Sequence, residues 1–343
     1  MWRTVMGGSQ EYVSRVLADA RMEVLTGADI RALRRQDGAV EVIEADGSRA
    51  AFDEVVLACH ADQALALLAA GNWRILAGGT DFYPAQGSRP IRQDILDINA
   101  IDALSSIHEE ADDLVLGAGV TWTDLLEKDL PPAFDALKLA AREVGSIQIQ
   151  NRGTIAGNLC NASPAADGIP PLMVLDANVE LASASGSRLL PLSEFILGNR
   201  KTARRLEELL VALRIPKNAT DGASHFLKLG ARRYLVISIA MVATRIALDE
   251  DGCIAEAAIA VGACSPVAQR LRRLETALIG RAPGSEALEA VCDWPFDELS
   301  PIDDVRATAG YRRKAAAEIT RRALSATFDQ LARSGDLSGK AAA

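Results

Sequence analysis

Two short glycine-rich segments, Ala77-Gly78-Gly79-Thr80-Asp81 and Arg152-Gly153-Thr154-Ile155-Ala156-Gly157-Asn158, stand about 75 residues apart and constrain the fold more than any other feature of the chain. Glycine lacks the Cβ that keeps backbones apart and accepts positive φ, so each segment lets main-chain N–H groups approach an anion closely. A phosphate or pyrophosphate fits that description. Neither segment is the dinucleotide fingerprint G-x-G-x-x-G or the phosphate loop G-x-x-x-x-G-K-[ST], and alone each reads first as a structural turn. The second has company, because Asn158, Asn161, Ser163 and Asp167 follow within ten residues of Gly157, beside Pro164, Pro170 and Pro171. Short hydrogen-bonding side chains on a proline-stiffened backbone suit a polyhydroxylated ligand such as a ribityl chain.

The rest of the composition removes competing classes. The chain has 343 residues, 49% hydrophobic and 24% charged, enough for a sizeable core and for two domains or one with appendages. No apolar run approaches the roughly 20 residues of a membrane span, and the start lacks the apolar core of a secretory signal, so a cytoplasmic setting is expected. With 37 Lys plus Arg against 46 Asp plus Glu, the net charge of −9 argues against nucleic acid as partner. Cys59, Cys160, Cys253, Cys264 and Cys292 are scattered without a Cys-x-x-Cys pair, which leaves no iron–sulfur site within this chain and reads as reduced thiols, Cys160 as a packed small hydrophobe. His60, His108 and His225 show no metal-ligand spacing, and no nucleophile–His–acid arrangement is visible, so no metal and no catalytic residue is assigned. Glu109-Glu110 with Asp112-Asp113 read as a solvated turn. The clusters Arg34-Arg35, Arg204-Arg205 and Arg312-Arg313-Lys314 read as solvated faces.

Periodicity predicts strands at 40–42, 52–59, 73–76, 95–98, 114–119, 179–182, 188–190 and 207–216, and helices at 61–70, 122–127 (capped by Thr121 or Thr123) and 137–144. From about residue 220, strands near 224–228, 239–248 and 254–262 precede helices near 271–278, 285–291 and 304–324, the pattern of a sheet covered on one face. The tail from Ser334 is expected to fray.

Four segments in order over about 260 residues now carry a resemblance: Ile75 to Asp81; Arg152 to Asn158 with Ser163-Pro164 and Asp167; Phe226-Leu227-Lys228-Leu229-Gly230-Ala231-Arg232; and Ser300-Pro301-Ile302-Asp303-Asp304-Val305-Arg306 with Tyr311-Arg312. Residues 62–324 resemble the FAD-binding medium subunit of the molybdenum hydroxylases, the family of xanthine dehydrogenase and aerobic carbon monoxide dehydrogenase. The resemblance implies an α+β fold: a two-subdomain PCMH-type FAD-binding domain over 62–219, a carbon monoxide dehydrogenase flavoprotein-like domain over 220–330 with a three-stranded antiparallel sheet and helices, and a frayed tail over 331–343. It implies FAD as cofactor. Ala77, Gly78, Gly79, Thr80 and Asp81 would bind the adenosine-diphosphate part, and Thr154, Ile155, Ala156, Gly157, Asn158, Ser163 and Asp167 the pyrophosphate, ribityl chain and ring. Ile75, Leu76, Phe82, Val144, Lys228 and Ile239 are softer assignments, Val144 against the flavin and 237–240 as a strand passing the ring. Such a protein is an oxidoreductase subunit active only in a complex. Electrons would come from the [2Fe–2S] clusters of a small subunit, delivered there by a molybdenum-cofactor large subunit, and leave through FAD to NAD+, a quinone or another acceptor, in a dimer of heterotrimers.

Residues 1–61 depart from that family and resemble an internal, strand-rich fragment of an amine-oxidase-like FAD protein without its phosphate loop, an apparent fusion with its seam near Asp62. Such a seam is expected to leave an unpaired sheet edge in the first FAD subdomain. Two alternatives follow from it: a flavin-free folded fragment or assembly module, and an autonomous amine-oxidase-type flavoenzyme.

Overall fold

The computed structural model describes residues 30–36, 39–44, 46–52, 56–58, 61–88 and 93–341, and the chain divides into two compact units, 1–56 and 57–343. Within the first, strands Ile30–Gln36, Ala39–Glu44 and Arg49–Phe52 form an antiparallel sheet in chain order. The run expected as one strand over 52–59 is two, Arg49–Phe52 and Val56–Ala58. The expectations for residues 1–29, and for Cys59 and His60, lie outside the described residues.

Strand Val56–Ala58, which runs across the 56/57 boundary, forms a three-stranded sheet with Ile95–Asp97 and Arg74–Leu76 in that spatial order, the last two parallel. Parallel neighbours need a crossover, and the chain between Arg74–Leu76 and Ile95–Asp97 contains the short helix Phe82–Gln86, which the sequence reading missed. Helix Ala61–Ala70, rich in Ala and Leu, buries Ala64 and Leu68 against Leu96, Ile98, Ile101 and Leu104. The strand slot expected to be vacant is filled: Val56–Ala58 lies next to Ile95–Asp97, so the seam leaves no missing strand there.

A second, antiparallel sheet orders its strands Gly186–Pro191, Asn178–Ser183, Leu209–Pro216, Asp113–Gly117, Ile107–Glu109. The acidic turn between the last two is more engaged than a solvated loop, since Arg214 donates to Glu110 at 2.7 Å. Under this sheet Trp122, Phe134 and Phe195 are fully buried.

The third sheet holds Ala223–Leu229, Ala240–Leu248, Ile254–Gly262 and the two-residue strand Gln269–Arg270, four strands where three were expected. It is also covered on both faces. Met241 and Ala243 pack with Leu137 and Leu172 on one side, while Ala240 and Val242 pack with Ala316 and Leu324 of the last helix on the other. A strand buried on both faces loses its polar alternation, because neither set of side chains meets water, and the polar residues of Ala240–Leu248 are buried with partners: Thr244 bonds the hydroxyl of Thr327 at 2.7 Å and Arg245 donates to the Val174 carbonyl. Helices Asp135–Glu143 and Ile169–Val174 supply the inner cover.

The last helix starts at Ala309, five residues later than expected, because Asp303 and Asp304 fold the approach into a turn: Asp304 accepts from the N–H of Arg306 at 2.8 Å. It continues to Ala341, over the segment expected to fray. Arg312 on it is not on a solvated face. It is 3% exposed and donates to the carbonyls of Ile239 and Ala263 at 2.6 and 3.1 Å. Among the described residues no helix is long and apolar enough to cross a membrane.

Removing Val56–Ala58 exposes the backbone groups of Ile95–Asp97. A chain beginning at Asp62 is therefore expected to melt below one beginning at Arg49 and to aggregate sooner. Equal melting midpoints and equal solubility would show that the strand contributes nothing.

Candidate cofactor-binding site

The two glycine segments meet. An ideal Cβ on Gly78 would lie 1.8 Å from the carbonyl oxygen of Arg152, so only glycine permits this approach of backbone to backbone. Gly79 adopts φ +76°, and a Cβ there would collide with the Tyr83 ring at 2.8 Å. The first segment leaves strand Arg74–Leu76 and is tied down by Asn99, which donates from Nδ2 to the Ala77 carbonyl at 2.8 Å.

The second segment is less of a loop than its sequence reads. Gly153 and Thr154 run alongside 120–122: the N–H of Trp122 donates to the Gly153 carbonyl at 3.2 Å, and the N–H of Ile155 to the Val120 carbonyl at 3.0 Å. Thr154 then caps the helix Ile155–Asn161, its Oγ1 accepting from the Gly157 N–H at 3.0 Å. Ile155, Ala156, Gly157 and Asn158 are thus helical residues, Ile155 and Ala156 facing the core. Thr121 caps Trp122–Glu127 in a reciprocal box with Asp124. The same Trp122 wedges against the far side of the segment, where a Cβ on Gly168 would come within 2.5 Å of its ring. Pro170 and Pro171, expected to stiffen a loop, open the helix Ile169–Val174, where proline loses no hydrogen bond.

Between these elements lies a buried polar group of three. Lys228 Nζ donates to Asp167 Oδ2 at 2.5 Å, and Ser238 Oγ donates to Asp167 Oδ1 at 2.6 Å. The Lys228 and Asp167 side chains are 7% and 8% exposed. Burial pushes the Asp167 carboxyl above its usual range, and Lys228 and Ser238 pull it back down. Ser238 lies within the 237–240 segment expected beside the ring, but nothing in the sequence pointed to its bond with Asp167, 71 residues away. Asn158 Oδ1 is a buried acceptor with no partner among the described residues. Nature rarely leaves such an atom unpaired, so a ligand donor at this position is the physical expectation.

Other expected residues fall as follows. Ser163 forms the next turn, its Oγ accepting from the Ala165 N–H at 3.3 Å. Ile75 and Leu76 lie in the strand before the first segment, and Phe82 opens the short helix after Asp81, under the Arg74 guanidinium at 4.0 Å. Val144 ends the helix Asp135–Glu143, half-buried against the core, with its carbonyl accepting from Gln150 Nε2 at 3.2 Å. Residues 237–239 are not strand. They close the loop that follows Leu229, where the Ile239 N–H donates to the Leu229 carbonyl at 2.7 Å, and the strand begins at Ala240. Cys160 is exposed rather than packed, because its position on the helix Ile155–Asn161 points away from the buried side. No cluster of three or more His, Cys, Asp or Glu able to hold a metal occurs among the described residues.

These features fit FAD: a glycine cradle that a Cβ would fill, an orphaned buried acceptor, and a lysine with polar partners at one crease. Gly78→Ala is expected to drive the two segments apart and to yield full-length protein with less than half the wild-type FAD per chain, read from its visible spectrum. Lys228→Met leaves Asp167 buried without its counter-charge, so the carboxyl titrates still higher in the folded than in the unfolded state. A carboxyl raised on folding stabilises below its unfolded pKa and loses that contribution as pH rises. The deficit of Lys228→Met against wild type in urea unfolding is therefore expected to grow from about pH 4 to pH 8. A constant deficit would refute the charge argument.

Comparison with known proteins agrees with this geometry. The family model described as the FAD binding domain in molybdopterin dehydrogenase matches residues 50–218, and that of the CO dehydrogenase flavoprotein C-terminal domain matches residues 225–327. The first match begins twelve residues before the seam expected at Asp62 and takes in Val56–Ala58. The chain is 30% identical over 254 residues to the glyceraldehyde dehydrogenase medium chain of Sulfolobus acidocaldarius, covering 74% of this chain and 89% of that one. It is 32% identical over 274 residues to the caffeine dehydrogenase subunit beta of a Pseudomonas species, covering 78% and 92%. A solved carbon monoxide dehydrogenase from Hydrogenophaga pseudoflava superposes with a TM-score of 0.74 at 29% identity, over 81% of this chain and 98% of that chain. Matched along both domains, with the two glycine segments in contact inside the first, the chain belongs to the FAD-binding medium subunits of the molybdenum hydroxylases.

Proposed function

We propose that this chain carries FAD between an iron–sulfur donor and a diffusible acceptor in a molybdenum hydroxylase complex, receiving electrons from the [2Fe–2S] clusters of a small subunit and passing them to NAD+, a quinone or another acceptor. The observation that carries the reading is the backbone contact of Gly78 with the Arg152 carbonyl, which brings two anion-accepting segments to one crease beside the unpaired Asn158 acceptor. When bound, FAD supplies the exchange between one-electron and two-electron carriers. The chain's own residues hold it. Ala77 to Asp81 would take the adenosine-diphosphate half, flanked by Ile75, Leu76 and Phe82. Thr154 to Asn158, Ser163 and Asp167 would take the pyrophosphate, ribityl chain and ring, with Val144, Lys228 and Ile239 at the ring's surroundings. The donated hydrogen bonds and the Lys228 charge would set how readily the ring takes electrons.

Relatives whose names read medium chain, FAD-subunit or subunit beta support a place in an assembly, and the proposed partners are a molybdenum-cofactor large subunit and an iron–sulfur small subunit. A dimer of heterotrimers in the cytoplasm is part of the proposal. The proposed division between a domain ending near 219 and one beginning near 220 is supported by the gap between the matched regions 50–218 and 225–327.

Full-length chain purified alone is expected to hold close to one FAD. Co-expressed with the two partner subunits it is expected to co-purify with both, and the substrate-reduced complex is expected to be reoxidised by NAD+ or a quinone. Flavin-loaded chain that binds neither partner would overturn the electron-transfer reading while leaving FAD binding intact.

A further inference from the structure

The hairpin formed by strands Ile196–Gly198 and Lys201–Thr202 turns through Arg200, a non-glycine residue at φ +58°. Its tip is fastened to the second glycine segment. The Arg200 N–H donates to the carbonyl of Ala162 at 2.9 Å, and Ala162, at φ +46°, ends the helix Ile155–Asn161. The Arg200 guanidinium donates to Asn161 Oδ1, and Asn161 Nδ2 donates to Asp81 Oδ2 at 3.0 Å. One chain of side chains thus runs from the hairpin through the helix end to the last residue of the first glycine segment.

The polarity of that chain is set at Arg200. A guanidinium only donates, so it holds the amide oxygen of Asn161 toward itself and leaves the amide nitrogen for Asp81. Without it, the amide is free to turn its oxygen toward the carboxylate, where two acceptors repel. Asp81 depends on this bond, since its carboxylate makes no other hydrogen bond among the described residues although it occupies the cap position of Phe82–Gln86. The charge is apt as well. The first glycine segment, Ala77 to Asp81, contains no Lys or Arg and ends on an anion, although it would face a cofactor with an anionic pyrophosphate, so a cation tied to Asp81 through Asn161 offsets like charge there. Apart from the bond to Asn161, the guanidinium has no protein hydrogen bond among the described residues.

We propose that Arg200 is a positioning residue for FAD: through Asn161 it orients Asp81 and holds the first glycine segment in register with the second. The proposal rests on the reading that Ala77 to Asp81 takes the adenosine half of the cofactor. Its consequence is a selective one, because FMN lacks that half.

Deflavinated full-length chain is titrated with FAD and, separately, with FMN by flavin fluorescence, for wild type, Arg200→Ala, Arg200→Lys, Asn161→Ala and the double Arg200→Ala/Asn161→Ala, with the melting midpoint of each flavin-free protein as control. Arg200→Ala is expected to weaken FAD by about tenfold, the scale of one hydrogen bond to a charged group. FMN affinity and the flavin-free midpoint are expected to stay at wild-type values. Arg200→Lys, also a pure donor, is expected to recover most of the loss, and the double variant to be no weaker than either single variant. Unchanged FAD affinity in Arg200→Ala, or equal losses for FAD and FMN with a falling midpoint, would overturn the proposal. Wild type that binds FMN as tightly as FAD would overturn the adenosine assignment beneath it, whatever the variants do.

Discussion

The rest of the site depends on one approach of backbone to backbone, Gly78 against the carbonyl of Arg152. It joins a strand-loop-helix unit, whose core is Leu96, Ile98 and Leu104, to the larger core around Trp122 and Phe134. Any side chain at residue 78 would force the two apart, since its Cβ would otherwise lie 1.8 Å from that oxygen. The contact is itself over-determined from behind. Asn99 holds the first segment by the Ala77 carbonyl, and the pairing of 120–122 with 153–155 holds the second. Trp122 lies between Gly153 and Gly168, and its indole takes the place a Cβ on Gly168 would need while only touching that of Gly153.

The C-terminal domain holds its side of the site by arginines rather than by apolar contact alone. Arg245 donates from Nε to the Val174 carbonyl at 2.9 Å, and Arg270 to the Met173 carbonyl at 2.7 Å, satisfying the carbonyls that helix Ile169–Val174 leaves open at its end. Both arginines are buried and paired, Arg270 with Glu275 at 2.6 Å and Arg245 with Glu256 at 3.0 Å. The helix they hold begins two residues after Asp167. Arg312 performs a similar task for the loop on the other side of Asp167: it binds the Ile239 carbonyl, one residue after Ser238, and pairs with Asp304 at 2.7 Å, whose carboxyl it holds well below the usual range. The buried Lys228–Asp167–Ser238 group therefore stands between two arginine-pinned segments, which is how a charged pair survives in an apolar surround.

Local patterns were legible wherever the cause was local. The Thr121 cap, the helix Ala61–Ala70 and the hairpin around Ser185-Gly186 are each written in neighbouring residues and occur as read. Readings failed where distant residues decide. Arg312 looks like part of a solvated basic run, and its burial follows from carbonyls at 239 and 263 that face it. The second covered face of the third sheet is invisible in periodicity, because a strand packed on both sides loses the alternation that would reveal it. Residues 155–158 read as loop because glycine and asparagine disfavour helix, and the Thr154 cap together with the burial of Ile155 and Leu159 outweighs that preference.

By itself the sequence determined the kind of ligand and the two places that meet it: glycines where only glycine fits, and a dense set of short polar side chains after the second. It also determined the order of the domains, through motifs specific enough to resemble one family. Only the tertiary structure decided that the two segments touch, that Ser238 completes the Asp167 pair, that Val56–Ala58 takes the strand slot beside Ile95–Asp97, and that Arg200 reaches Asp81 through Asn161. The physical reason is range. Turn and cap preferences act over a few residues, whereas a backbone contact or a hydrogen-bonded chain joins atoms tens of residues apart, and its partners are chosen by how the cores pack.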